Sequence, residues 1–238
     1  MNAARNAARN AARNAARNAA RNAARNAQPA ERATSGVERV VAFSDGVFAI
    51  AITLLVLPLA QARFREGHVE EDLLGLLPEF GAFALSFAVI GRFWRVHHRG
   101  FLRIARADSV LLTLNLVFLF WVAVLPFPTA VLGQHGDSVA AVLLYALSII
   151  LTGLSSSGVW WYAARGRPRL RRGTRPLTHP DTDPAEIRMA LARGLGAVSG
   201  FVPSLGLAFL STTVAEFSWL LAIPLTVLAA RFARRRRG

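Results

Sequence analysis

The sequence contains no cysteine and no lysine. Without cysteine, the chain has no disulfide bridge, no thiolate metal ligand and no cysteine nucleophile. Its 28 basic residues are therefore all arginine, and with 14 acidic residues they give a formal net charge of +14. These arginines lie in the two tails and between apolar segments, which argues against a nucleic-acid partner. The sequence also has no glycine-rich nucleotide-binding loop.

Long apolar segments are what the chain has in abundance. Hydrophobic residues make up 53% of it and charged residues only 18%. About twenty residues of helix are enough to cross a bilayer core of roughly 30 Å. We therefore predict an all-α integral membrane protein, a helical bundle with six transmembrane helices per subunit. The predicted spans are 38–59, 74–97, 109–126, 138–164, 188–211 and 214–232, the third ending at its Pro-Phe-Pro sequence and the fifth weakened by glycine and proline.

The spans divide the chain into three parts. Residues 1–36 begin with a low-complexity Asn-Ala-Ala-Arg repeat, residues 37–232 form the transmembrane domain, and residues 233–238 are basic. Arginine is concentrated in the tails, between spans two and three, and between spans four and five. The positive-inside rule then predicts that both termini are cytoplasmic. The basic tails are expected to contact the bilayer, including anionic lipid.

One face of the first span carries a stripe of apolar side chains, because residues three and four apart lie on the same side of a helix. Ordinary packing against lipid or other helices is the more frequent use of such a face. Alternatively, copies of the face surround the axis of a symmetric oligomer, with Ile50, Leu54 and Leu57 as rings that constrict a pore. The stripe consists of Phe43, Val47, Ile50, Leu54 and Leu57, with Gly46 and Thr53 beside Ile50.

The same span carries polar residues that need partners inside a membrane. A buried carboxylate without donors is costly, so Asp45 is expected to join a hydrogen-bonded network rather than only anchor the helix end. We predict a structural network of Arg39, Asp45, Trp94, His97, His98 and Asn115. Adjacent histidines on a helix diverge by about 100°, so no metal site is expected at His97 and His98.

These residues resemble a known family. The sequence Arg39-x-x-x-Phe43-Ser44-Asp45, followed by the apolar stripe, is similar to the first helix in bacterial members of the transmembrane protein 175 family of potassium channels. The similarity continues through residues 86–98, 114–118 and 125–129, and covers residues 39–135 well. The later spans are alike only in hydropathy.

The resemblance implies tetramers in the plasma membrane, with a pore formed by four copies of the first helix and no pore loop. Accordingly, no filter sequence of the Thr-Val-Gly-Tyr-Gly kind is present. Carried over by position, Ile50 forms the hydrophobic constriction, with Leu54 and Leu57 further along the same pathway. The resemblance also implies that the Phe-Ser-Asp sequence holds the first helix through contacts among helices, which adds Ser44 to the predicted polar network. Pro58 stands where many relatives carry an acidic residue. Cation attraction at the outer mouth would then rest on Glu66, Glu70, Glu71 and Asp72.

The function expected from this resemblance is passive potassium conduction by a homotetramer, with no cofactor, no metal and no catalytic residue. The alternative is a proton channel or proton-coupled transporter that uses Asp45 and His97 or His98 as relay groups. A third possibility is a structural or signalling protein whose first helix only packs. A membrane enzyme comes last, because no convincing nucleophile and base occur together.

Overall fold

The computed structural model describes residues 36–165 and 177–221, together with positions 13 and 17 singly. Apart from one isolated bridge between loops, all regular structure in those residues is helical. The predicted tail repeat and the basic C-terminus lie outside the described residues. The helices are α1 Gly36–Ala60, α2 Val69–Gly75, α3 Leu77–Phe101, α4 Ser109–Gln134, α5 Val139–Arg165, α6 Pro184–Ser199, α7 Ser204–Leu207 and α8 Thr212–Ser218, followed by a 3₁₀ turn, Trp219–Leu221.

Three of the described helices, α1, α4 and α5, are long and apolar enough to cross a membrane. A fourth span is formed if α2 and α3, which meet at an angle of 44°, are counted together. The protein is therefore an integral membrane protein, as predicted. The first and fourth predicted spans agree closely with α1 and α5, and the second overlaps α3.

The predicted end of the third span was wrong. The helix does not stop at Pro126 but continues to Gln134. Pro126 occupies the first turn of a new helical segment, where its missing N–H has no intrahelical partner to lose. Thr129 then donates its hydroxyl to the carbonyl oxygen of Leu125 at 2.8 Å. Pro126 thus begins a second helical segment of the same span and does not end the span.

The predicted fifth span is not one continuous helix. It begins earlier, as Pro184–Ser199, is interrupted by a turn at residues 200–203, and resumes only as the short α7. Gly200 and Pro203 lie in the interruption, as expected of residues that disfavour a helix interior. Of the predicted sixth span, only the first residues are described. Six spans per subunit therefore remain a prediction.

The core of the bundle forms where α5 packs against α4 and α6. Gly153 of α5 permits the contact with α6, because a Cβ atom at this position would overlap the side chain of Val198. Residues of α1, α3 and α4 complete the same buried cluster. The helix α1 covers one side of this bundle.

Two connections between helices meet at one end of the bundle. Ile104, after α3, forms an isolated antiparallel bridge with Thr178, before α6. Arg103 forms an ion pair with Glu186, and His179 N–H donates to the carbonyl oxygen of Arg103 at 2.9 Å. The connection from α3 to α4 thus contacts the segment before α6, so both lie at the same end of the bundle.

Candidate functional site

The helix α1 has a buried face and an open face. Phe48 is only 1% exposed and packs into the bundle with Ala51 and Leu55. On the open face, Ile50 is 61% exposed and Phe43 is 56% exposed. Leu54 and Leu57 are also exposed, and Val47 is half-buried. The predicted stripe is thus an apolar surface that its own subunit leaves uncovered.

The side of this stripe next to Gly46 and Thr53 is also open. A Cβ atom on Gly46 would meet no other atom within 4 Å. The exposed hydroxyl of Thr53 donates to the carbonyl oxygen of Ile50 at 2.9 Å. Because its hydrogen is used in this bond, the Thr53 oxygen presents lone pairs rather than a donor to its surroundings.

Behind the open face, a chain of hydrogen bonds joins α1 to α4 and α3. The hydroxyl of Ser44 donates to the carbonyl oxygen of Val40 at 2.8 Å. Asn115 Nδ2 then donates to Ser44 Oγ at 3.1 Å, and Asn115 Oδ1 lies 2.8 Å from His97 Nε2. Since Ser44 has used its hydrogen, the amide of Asn115 must turn its NH₂ to Ser44 and its oxygen to His97. His97 therefore carries its hydrogen on Nε2.

Aromatic rings hold the imidazole of His97 in place. It stacks on Phe101 with ring centroids 4.3 Å apart, and on Phe118 with centroids 5.5 Å apart. Phe48 of α1 lies 5.7 Å from the same imidazole and 5.8 Å from Phe118. The buried face of α1 is thus fixed by polar contacts at Ser44 and by aromatic packing one turn later.

A second polar contact lies beside the first. The indole Nε1 of Trp94 donates to Asp45 Oδ1 at 2.9 Å, and the Trp94 ring lies 5.6 Å from that of His98. The structure therefore brings the predicted polar residues together in two neighbouring groups, one around Asn115 and one around Trp94. Arg39 does not join them, because its side chain is exposed and lies outside these contacts.

One polar cluster was missed by the sequence analysis. Ser86 Oγ and Tyr145 Oη lie 3.0 Å apart, and the hydroxyl of Thr129 lies 2.8 Å from Ser86 Oγ. Tyr145 is fully buried and its ring lies 5.0 Å from that of Trp219. The signal available in the sequence was a lone tyrosine within an apolar segment, which needs a hydrogen-bond partner when it is buried.

Acidic residues gather after α1, but an arginine binds one of them. Asp72 accepts from the backbone N–H of Arg65 at 2.7 Å, and from its Nε and Nη2 at 2.9 and 2.6 Å. The bonds from Arg65 hold the pKa of Asp72 below its usual range. Glu71 lies 3.6 Å from the same guanidinium. These residues line a polar cleft of about 520 Å³ that also includes Pro58 at the end of α1.

The part of the chain that the structure describes holds no group of three or more histidine, aspartate or glutamate side chains that could bind a metal ion. Ser44, Asn115 and His97 are hydrogen-bonded in one group, and Asp45 is hydrogen-bonded to Trp94.

Comparison with known proteins assigns the chain to a family. The family described as endosomal/lysosomal potassium channel TMEM175 matches residues 39–126. A potassium channel of Streptomyces collinus is 37% identical over 179 residues, which cover 73% of this chain and 82% of that protein. A potassium channel of Chamaesiphon minutus is 39% identical over 132 residues, covering 53% and 65% of the two chains.

Other matches extend the comparison to animals and to solved structures. The endosomal/lysosomal proton channel TMEM175 of Bos taurus is 35% identical over 136 residues, 52% of this chain but only 28% of that protein. The crystal structure of a lysosomal potassium-selective channel TMEM175 homolog from Chamaesiphon minutus superposes with a TM-score of 0.67 and 30% identity. This match covers 82% of the present chain and 98% of that structure.

The helical fold and these matches define an integral membrane protein of an ion-channel class, not of an enzyme class. The chain belongs to the TMEM175 family. The resemblance inferred from the first helix is thereby confirmed.

Proposed function

We propose that the protein conducts potassium passively across the plasma membrane through a pore lined by α1. The observation that carries this proposal is the placement of Ile50, which is 61% exposed on a helix whose other side is buried in the bundle. An apolar side chain so exposed on a fixed helix is suited to face a shared axis. Potassium is proposed as the permeant ion because the relatives from Streptomyces collinus and Chamaesiphon minutus are named as potassium channels.

A single subunit cannot enclose such a pathway, because α1 lies at the edge of the bundle with one face open. We therefore propose a homotetramer in which four copies of that face surround the axis. Ile50, Leu54 and Leu57 then form successive apolar rings, and Phe43, Gly46, Val47 and Thr53 line or flank the pathway. The protein would be multi-pass with both termini cytoplasmic, and anionic lipid would contact its arginine-rich tails.

Selectivity in this proposal comes from dehydration. A narrow apolar ring requires the ion to lose part of its hydration shell, and this costs less for potassium than for the smaller sodium ion. The exposed Thr53 oxygen, whose hydrogen is directed to Ile50, would offer a partial replacement for the lost water. No carbonyl filter is needed for a modest preference.

The polar groups behind α1 have a structural role in this proposal. The bonds of Ser44 to Asn115 and of Asp45 to Trp94 fix the rotation of α1 about its own axis. A rotation of about 100°, the angle between successive residues, would turn Ile50 away from the axis. The width of the constriction therefore depends on contacts that the permeating ion never reaches.

The second candidate is a proton channel. The animal relatives that match this chain are named as proton channels, and Asp45 is a half-buried carboxylate on α1. In that case Asp45 with His97 or His98 would carry the proton. Flux driven by a pH gradient in the absence of potassium would favour this candidate.

The test is cation flux from the purified full chain in liposomes. Ile50→Asn should increase potassium flux and reduce the preference for potassium over sodium, because a polar ring no longer excludes water. Val56→Asn is the matched control, since Val56 is 43% exposed on the same helix but lies about 120° from Ile50. If Ile50→Asn leaves both flux and selectivity unchanged, Ile50 is not the constriction.

A further inference from the structure

A small internal cavity borders the imidazole of His97, among α3, α4 and α5. It has a volume of about 10 Å³, and most of its lining is apolar, including Phe101, Phe118 and Val159. A space of about 10–15 Å³ is the size that holds the centre of one water molecule. The cavity is therefore too small for a lipid, an organic ligand or a hydrated ion.

His97 lines this cavity, and Nδ1 is the ring nitrogen that does not bind Asn115. The bond to Asn115 places the imidazole hydrogen on Nε2, so Nδ1 carries a lone pair and can only accept. The side chain of His97 is 4% exposed, and its Nδ1 has no hydrogen-bond partner among the described residues. A buried acceptor without a donor is unfavourable, and such groups are commonly satisfied by an internal water.

Two further polar groups, both from α5, line the same cavity. The hydroxyls of Ser155 and Ser157 donate to carbonyl oxygens of their own helix, each at 2.9 Å, but no such bond is formed by Ser156 among the described residues. The indole nitrogen of Trp160 lies 2.8 Å from the position of a Cβ atom on Gly100, one helical turn after His97. Both groups thus lie next to the turn that carries His97.

We propose that this cavity binds one ordered water molecule, which donates a hydrogen bond to His97 Nδ1 and is held by Ser156 Oγ and Trp160 Nε1. Two to four polar partners are typical for a buried water, and these three groups supply them. The water links α5 to the hydrogen-bonded chain of His97, Asn115 and Ser44. The contacts that fix α1 therefore extend across the bundle to α5.

The proposal is tested by nitrogen-15 solid-state NMR of the full chain in lipid bilayers, with labelled histidine and with water as the probe. The His97 signals are identified by their loss in His97→Gln. We expect a cross peak between water protons and His97 Nδ1. The matched control is Ser157→Ala, which removes a neighbouring hydroxyl outside the cavity and should leave this cross peak unchanged.

Two variants then locate the water. Val159→Ile adds a methylene to the cavity wall and should abolish the cross peak, while Ser156→Ala removes one partner and should reduce its intensity at least twofold. If Val159→Ile does not fold, the cross-peak intensity in Ser156→Ala alone decides whether the water occupies the cavity. Absence of the cross peak in the unmodified chain, or its persistence at full intensity in the folded variants, overturns the proposal. No ion gradient is involved, so the result is independent of potassium flux.

Discussion

His97 donates its Nε2–H to the side-chain oxygen of Asn115 across 2.8 Å, because the Asn115 amide turns its NH₂ to Ser44. The same amide donates to Ser44, so one asparagine of α4 connects α3 with α1. Asn115 is only 2% exposed. Two helices thus depend on a single side chain for their alignment.

Replacement of Asn115 by alanine should therefore destabilise the protein more than its size suggests. A buried polar group left unpaired costs about 1–3 kcal/mol. His97 Nε2–H loses its acceptor, and Ser44 Oγ loses a donor while it keeps its bond to Val40. We expect a loss of about 3 kcal/mol, seen as a lower midpoint of thermal unfolding in detergent. Thr113→Ala, on an exposed position of the same helix, should leave the midpoint nearly unchanged. Equal midpoints for the two variants would contradict the structural role of Asn115.

Asp45→Asn separates the two candidate functions. Asparagine keeps the oxygen that accepts from Trp94, so α1 should stay in position and potassium flux should persist. A proton relay through Asp45 requires a titratable group, and the amide does not supply one. We expect potassium flux within about twofold of the unmodified protein in liposomes. A loss of proton flux together with unchanged potassium flux would assign Asp45 to a proton path.

The pairing of Arg65 with Asp72 predicts how the acidic cleft responds to pH. The pKa of Asp72 is lowered in the folded protein, so the pair contributes stability above the unfolded pKa of about 3.9 and loses it as the pH falls through the lower folded value. The bonds between Arg65 and Asp72 should therefore persist at neutral and mildly acidic pH. Carboxyl titration of Asp72 by NMR checks this, and an Asp72 titration at or above pH 4 would contradict the bond geometry.

Arg65→Gln should release a negative charge beside the end of α1. If this cleft lies at the outer mouth of the proposed channel, the freed carboxylate attracts cations and increases potassium conductance at low salt. The increase should disappear near 1 M salt, where the screening length falls to about 3 Å. Arg63→Gln serves as the control, because Arg63 lines the same cleft but does not bind Asp72. An equal increase in both variants would point to net charge alone.

Two glycines of α5 should respond in opposite ways to alanine. At Gly153 the new Cβ atom would overlap Val198, and overpacking of this kind costs about 1–3 kcal/mol. At Gly158 the Cβ would meet nothing within 4 Å, so the better helix propensity of alanine should stabilise the helix by up to about 1 kcal/mol. Thermal unfolding of the two variants measures both effects. A Gly153→Ala protein as stable as Gly158→Ala would show that α5 and α6 do not pack closely.

The helices that the sequence predicts best are those whose pattern depends only on local chemistry. The apolar stripe of α1 follows from the spacing of residues such as Ile50 and Leu54, and the need of Asp45 for a donor follows from its charge. Hydrogen-bond donors are scarce in apolar segments, so only a few side chains of the predicted network could donate to Asp45. Trp94 was among them.

The remaining features depend on contacts between residues that are distant in the sequence, and no short stretch of sequence indicates such contacts. Pro126 can end a helix or begin one, and the outcome here involves the bond from Thr129 to Leu125. Likewise, nothing near Ser86 in the sequence indicates that Tyr145 would lie against it. Nothing in the sequence indicates that Arg65 binds Asp72, because the turn that brings them together is visible only in the structure.

The support for α1 is uneven along its length. Its hydrogen bonds to other helices are made at Ser44 and Asp45, whereas Leu55 is held by apolar packing alone and the helix loosens into a turn at residues 55–56 before Pro58. The N-terminal half of α1 is thus held by hydrogen bonds and packing, and its C-terminal half by packing alone. In the proposed channel, the pore diameter would then change at the rings of Leu54 and Leu57, while the ring of Ile50 keeps a nearly constant diameter.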